Sequence, residues 1–133
     1  MTAWYITIVT TVDGKSETHR RKAEETEFTS VSALLRYREE NAAVELWFSP
    51  TETTMQRRGD YSMRLRFVDG ETTQGALGFG DSEGEVSVFT HGVSYTVKQG
   101  SFLALLRYAL IFGEEKQEMS VRITAKEEIS EEK

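Results

Sequence analysis

Five tyrosines, two histidines and no cysteine set the limits on the chemistry this chain can carry. A disulfide scaffold, a thiol nucleophile and a cysteine-based zinc site are excluded. A zinc site would need both His19 and His91 with added carboxylates. The two lie far apart, one on a charged stretch and one beside a glycine, so no metal-ligand set is expected. No serine sits in a G-x-S-x-G elbow with a histidine in reach, so no catalytic residue and no cofactor is assigned. The cluster Gly75, Gly78, Gly80 and Gly84 is not followed by a helical pattern, so it does not read as a phosphate-binding loop. It reads as a bulged or flexible loop at the mouth of a sheet structure. Arg58-Gly59-Asp60 spells an adhesion tripeptide and reads as an ordinary turn.

What remains is aromatic. Tyr37, Tyr61, Tyr95 and Tyr108 fall on apolar faces, and a buried phenolic hydroxyl requires a partner. With Phe48 and Phe67 they are the candidate ligand-binding residues. Hydroxyls converging in an apolar cavity suit a small apolar or amphipathic ligand, such as a fatty or aromatic acid.

The elements that must position these residues are strands. Trp4, Ile6 and Ile8 alternate with Tyr5, Thr7 and Val9; Tyr61, Met63, Leu65 and Phe67 alternate with Ser62, Arg64, Arg66 and Val68. Period two recurs at Val93–Val97 and Met119–Ala125, which places one face in a core and the other in water. Asp13-Gly14 and Asp69-Gly70 are two-residue hairpin signals of type I′, and His91-Gly92 and Gln99-Gly100 are weaker turn signals. The spacing predicts about ten strands near 3–12, 15–23, 31–38, 43–49, 52–58, 61–68, 71–77, 85–90, 93–99, 101–112 and 117–126, one of the short ones irregular. The inward set this predicts includes Trp4, Ile6, Ile8, Leu35, Leu46, Met63, Leu65, Val86, Val88, Val97, Phe102, Leu106, Val121 and Ile123 besides the six aromatic candidates. Two segments are ambiguous between strand and helix: 31–40, rich in Ala, Leu, Arg and Glu, and 101–112, apolar on both faces. As a strand the latter leaves Leu103, Leu105 and Ile111 as an outer apolar strip, a surface for a homodimer.

The chain has 133 residues and a net charge of −6, with one proline and no linker. Length and composition fit a single domain over residues 1–126, followed by an acidic, disordered tail over 127–133. Residues 1–66 balance ten basic against ten acidic groups, whereas 67–133 carry six against twelve. An acidic chain repels polyanions, so nucleic acid is not an expected partner. The bases Lys15, Arg20, Arg21 and Lys22, and Arg57, Arg58, Arg64 and Arg66, would form a local cationic patch only if their strands were neighbours. No signal peptide or membrane span is read at the N-terminus, so the cytoplasm is the expected compartment.

The order Met55-Gln56-Arg57-Arg58-Gly59, Met63 to Gly70, Gly84 to Thr90 and the long hairpin 101–125 resembles the YwiB-like family of uncharacterised bacterial proteins. The hairpin at Val12-Asp13-Gly14 and the segment Arg36-Tyr37-Arg38-Glu39-Glu40 are similar too. The likeness spans about residues 5–126. It departs at Ser82-Glu83-Gly84, where the family often carries Pro-aromatic-Gly, and at 31–35, where the family tends to carry tyrosines. The resemblance implies a calycin-like (lipocalin-like) β-barrel and no established activity. The fold expected is therefore all-β, a single antiparallel calycin-like barrel of about 8–10 strands. Its first functional reading is a non-catalytic binding protein with a small ligand in the barrel. The alternatives are an interaction or dimerisation module with a packed barrel, and an enzyme using barrel tyrosines.

Overall fold

Ten strands follow one another with short turns, in a computed structural model that describes residues 2–129. They are β1 (Thr2–Val12), β2 (Lys15–Phe28), β3 (Ala33–Glu39), β4 (Ala42–Phe48), β5 (Thr53–Gly59), β6 (Tyr61–Phe67), β7 (Thr72–Phe79), β8 (Ser82–Lys98), β9 (Ser101–Phe112) and β10 (Glu115–Ile129). Each strand pairs antiparallel with the next, and β1 closes the barrel on β10, from Thr2↔Ile129 to Val12↔Met119. The ring of pairings is continuous, although Lys15–Lys22 of β2 pair with β1 alone, because β3 meets β2 only from Ala23 to Phe28. Among the described residues no helix is long and apolar enough to cross a membrane.

Both ambiguous segments are strands, β3 and β9. Helix propensity is a weak prior, and here the cross-strand burial of Leu35, Tyr37, Phe102, Leu106 and Tyr108 overrides it. The tail expected from 127 begins within β10, where Glu127 and Glu128 pair with Trp4 and Ala3. Residues 130–133 lie outside the described residues.

The turns follow their chemistry with three corrections. Asp13 and Gly14 have φ of 48° and 87°, positive at both positions as type I′ requires. At Asp69-Gly70 only Gly70 is positive, at 74°, and Glu71 N–H donates to the Val68 carbonyl at 2.9 Å. That is the type II pattern, not I′. His91-Gly92 is no turn at all. β8 continues through it, pairing Thr90 with Tyr108 and then Gly92 with Arg107, so His91 is the extra residue of a β-bulge and two predicted strands are one. The glycine serves the bulge: a Cβ on Gly92 would sit 3.3 Å from the Arg107 guanidinium. Of the glycine cluster only Gly80, with φ of 58°, lies in a connection, the β7–β8 turn. Gly75 and Gly78 lie in β7 and Gly84 in β8, within a regular hairpin. Gly75 faces inward, where a Cβ would come within 2.8 Å of Leu65 and 2.9 Å of the Arg64 carbonyl.

The interior is filled unevenly. One end, under the β2–β3, β4–β5 and β8–β9 connections, is plugged by aromatics. Trp4 packs on Phe28 at 4.6 Å, Phe28 on Phe102 at 5.7 Å, Phe102 on Phe48 at 5.1 Å and Phe48 on Tyr95 at 5.6 Å between centroids. Ile6, Leu35, Leu46, Leu65, Phe67, Leu106 and Ile123 fill the middle, all essentially inaccessible. The other end, under the β1–β2, β3–β4 and β5–β6 turns, is not filled.

Candidate functional site

Below the open end lies a cavity of about 300 Å³. That is the lower end of the usual range for small-molecule sites, about 300–1,000 Å³. At about 30 Å³ per molecule it equals on the order of ten waters. Its floor and inner wall are apolar: Ile8, Val44, Leu46, Met55, Val121 and Ile123. Its outer wall carries Glu17, His19, Arg21, Glu39, Arg57 and three tyrosines, Tyr37, Tyr61 and Tyr108. Apolar depth below a polar rim is the shape that suits an amphipathic molecule.

Cross-strand pairing explains why these side chains meet. Ala23, Tyr37, Val44, Arg57 and Met63 occupy one lateral row from β2 to β6. Paired residues share a face, so Tyr37 and Arg57 flank Val44 from either side. On β2, Glu17, His19 and Arg21 stand opposite Thr10, Ile8 and Ile6 of β1. Because Ile6 and Ile8 face the core, these three charged or titratable residues face inward as well.

Arg57 is the most enclosed cation, 8% exposed. Its guanidinium donates to the Tyr61 carbonyl at 2.7 Å and lies 3.7 Å from the centre of the Tyr61 ring. It pairs with Asp60 at 2.8 Å and Glu39 at 3.6 Å. The hydrogen bond from Arg57 leads in holding the Asp60 carboxyl below its usual value. The Arg57 Nε–H is buried without an acceptor among the described residues. Tyr61 in turn stacks on Phe79 at 5.6 Å, and Phe79 stands 60% exposed at the rim.

The tyrosines behave differently from one another. Tyr37 and Tyr108 are buried, and neither hydroxyl hydrogen-bonds to a protein group among the described residues. Burial pushes Tyr108 up to about 12. Burial also raises Tyr37, with Glu39 adding to the effect and Arg21 and Arg57 opposing it. Both therefore remain neutral hydrogen-bond donors at physiological pH. Tyr95 lies at the plugged end, where its hydroxyl donates to the Val31 carbonyl.

The structure thus brings three of the six sequence-predicted residues together at the cavity: Tyr37, Tyr61 and Tyr108. Tyr95, Phe48 and Phe67 do not line it. Phe48 and Tyr95 belong to the aromatic plug, and Phe67 packs 4.6 Å from Tyr108. Sequence reasoning missed the polar wall. The stretch Lys15–Phe28 reads as a solvated charged strand, yet the two-residue turn at Asp13-Gly14 fixes its register against β1. That register alone puts His19 opposite Ile8 and Arg21 opposite Ile6.

The remaining singled-out residues lie elsewhere. His91 reaches from the bulge across β9 to Glu118 of β10, 2.9 Å away. That bond, with a second from Lys116, holds the Glu118 carboxyl below its ordinary value. On the outer surface the two groups of bases do not merge: β3 and β4 separate them, carrying Arg36 between Glu25 and Glu45 and Arg38 beside Glu24, and only Arg21 and Arg57 share the cavity inside. Arg66 pairs with Glu52, and Arg20 with Glu128 at 2.5 Å. On the outer strip Leu103 is exposed, Leu105 and Ile111 are half-buried, and Arg107 interrupts them.

Comparison with known proteins gives a family and a fold. The family model described as "Domain of unknown function (DUF1934)" matches residues 6–123. The crystal structure of the ywiB protein from Bacillus subtilis superposes with a TM-score of 0.77, covering 96% of this chain and 92% of that one at 19% identity. A likeness at that identity establishes the fold alone. No match was found among curated proteins.

Proposed function

The chain belongs to the DUF1934 family of unknown function, and from that premise we propose that it is a non-catalytic binding protein that holds one small amphipathic molecule inside its barrel. The observation that carries this reading is the uneven filling of the interior. One end is packed solid with Trp4, Phe28, Phe48, Tyr95 and Phe102, while the other keeps about 300 Å³ open over an apolar floor. Protein interiors are close-packed, and a cavity of this size leaves its apolar floor facing water instead of other side chains. An apolar ligand body displaces that water and covers the floor.

The polar groups support binding over chemistry. Tyr37 and Tyr108 stay protonated, which suits donation to a ligand and not proton abstraction. Arg57 is held by Tyr61, Asp60 and Glu39, which makes it a fixed part of the wall.

Titration of methyl-labelled protein with 1-octanol, followed by NMR, tests the reading. Binding in the cavity shifts the methyl signals of Ile8, Leu46, Val121 and Ile123 and leaves those of Leu103 and Leu105 on the outer wall in place. Shifts confined to Leu103, Leu105 and Ile111, or a change in molecular mass with concentration, would instead favour the outer strip as the working surface.

A further inference from the structure

We propose that the barrel's ligand is a small carboxylic acid bound as its monoanion, with Arg21 as the charge partner and the Tyr37 hydroxyl as a neutral donor. This rests on the cavity reading above and narrows it to one ligand class.

The charges around the cavity do not cancel locally. Arg57 stands between two carboxylates, Asp60 at 2.8 Å and Glu39 at 3.6 Å. Glu17 lies at the rim, 82% exposed, 3.6 Å from His19. Arg21 has no carboxylate within ion-pair distance among the described residues. Its only protein hydrogen bond runs from Nη1 to its neighbour's carbonyl, on Arg20, at 3.1 Å. A guanidinium has five donors in a planar fork that fits a carboxylate bidentately. Arg21 therefore offers most of that fork to the cavity.

A second observation points the same way. Tyr37 is 6% exposed, and its hydroxyl, which has no protein partner among the described residues, belongs to a side chain lining the cavity. Burial and then Glu39 oppose negative charge at that hydroxyl, and Arg21 and Arg57 each favour it less strongly, so the hydroxyl itself stays a neutral donor. A ligand oxygen in the cavity shares its wall with this donor, with Arg21 and with Arg57, whose charge Glu39 and Asp60 already engage. The local charges, Arg21 and Arg57 against Glu17, Glu39 and Asp60, do not sum to a positive site, so the preference for an anion rests on the unengaged Arg21 fork alone, and a dianion would face the carboxylates of the wall. The apolar floor then takes the hydrocarbon body, for which about 25 cal/mol per Å² of apolar area is gained on leaving water.

Calorimetric titration of the full chain with sodium octanoate, 1-octanol and octylammonium chloride at pH 7.5 tests this. The expected result is octanoate binding at least tenfold tighter than octanol, and octylammonium weakest. In Arg21→Gln the octanoate-to-octanol affinity ratio falls towards one, whereas in Arg122→Gln, the same charge change on the outer wall, it is retained. Equal affinities for octanoate and octanol would overturn the anion assignment while leaving the cavity reading intact. A preference for octylammonium would overturn it in the opposite sense. Failure of all three to bind at millimolar concentration would remove the cavity reading and this proposal together.

Discussion

Arg57 holds Tyr61 twice, through a hydrogen bond to its carbonyl at 2.7 Å and by lying 3.7 Å from the centre of its ring. The two residues sit at the ends of β5 and β6, astride the turn that carries Asp60, and the same guanidinium also reaches Asp60 and Glu39. The rim of the cavity is fixed by this contact. Arg57→Met should cost about 2 kcal/mol, since a hydrogen bond to a charged group contributes about 1.5–3 kcal/mol and the acids left behind are partly solvated. Tyr61→Leu keeps the carbonyl bond and should lose only about 0.5–1 kcal/mol of cation–π attraction. Urea unfolding of both single variants and the double variant measures the coupling. Additive costs would mean that the ring contact contributes nothing.

Alkaline titration separates the tyrosines. Tyr37 and Tyr108 are both raised, chiefly by burial, Tyr108 to about 12. A group whose folded value lies above its unfolded one stabilises the fold below the unfolded value and loses that contribution as pH rises. Stability should therefore fall from about pH 10 toward pH 12. Absorbance at 295 nm is expected to show ionisation of the accessible tyrosines first, then a late cooperative step as the barrel opens. Tyr37→Phe with Tyr108→Phe should shrink the late step, and a late step of unchanged size would place these hydroxyls in water.

Tyr95 is structural in this account. Its hydroxyl bonds the Val31 carbonyl at the plugged end, so Tyr95→Phe should cost about 1 kcal/mol in thermal or urea unfolding. Octanol affinity should be unaltered. Tyr37→Phe should show the converse, little loss of stability, because no protein partner is left unpaired. A Tyr95→Phe variant that loses octanol affinity but keeps its stability would place the ligand at the wrong end of the barrel.

Thr90 offers a control within the core. It is fully buried beside Tyr108, and its hydroxyl has no partner among the described residues. Thr90→Val keeps the shape and removes an unsatisfied group, so stability should rise by about 1 kcal/mol. A loss of stability would mean that the hydroxyl is hydrogen-bonded in solution, for example to water in the barrel.

Much of the barrel was legible because period two is a local signal. Trp4-Ile6-Ile8 and Met63-Leu65-Phe67 face inward as their alternation requires. The bulge at His91 was not legible, because a glycine after a polar residue reads the same in a turn and in a bulge. Nor was the burial of outward-facing Ala109, which is 0% exposed where His91 crosses β9 to meet Glu118. That contact joins strands distant in sequence. The site was half legible. Aromatic residue type marked Tyr37, Tyr61 and Tyr108 but gave no means of telling them from Tyr95, since all four are inward and only the axial position of each differs. The charged wall of Glu17, His19 and Arg21 was hidden by composition, although the turn at Asp13-Gly14 already fixed its register.

The central claim, a small molecule held in the barrel, is tested most directly by native mass spectrometry of the protein purified from its own host, compared with its denatured mass. A surplus mass is expected that disappears on denaturation and belongs to an organic acid small enough for about 300 Å³. A bare native mass, unchanged after incubation with octanoate or octanol, would contradict it.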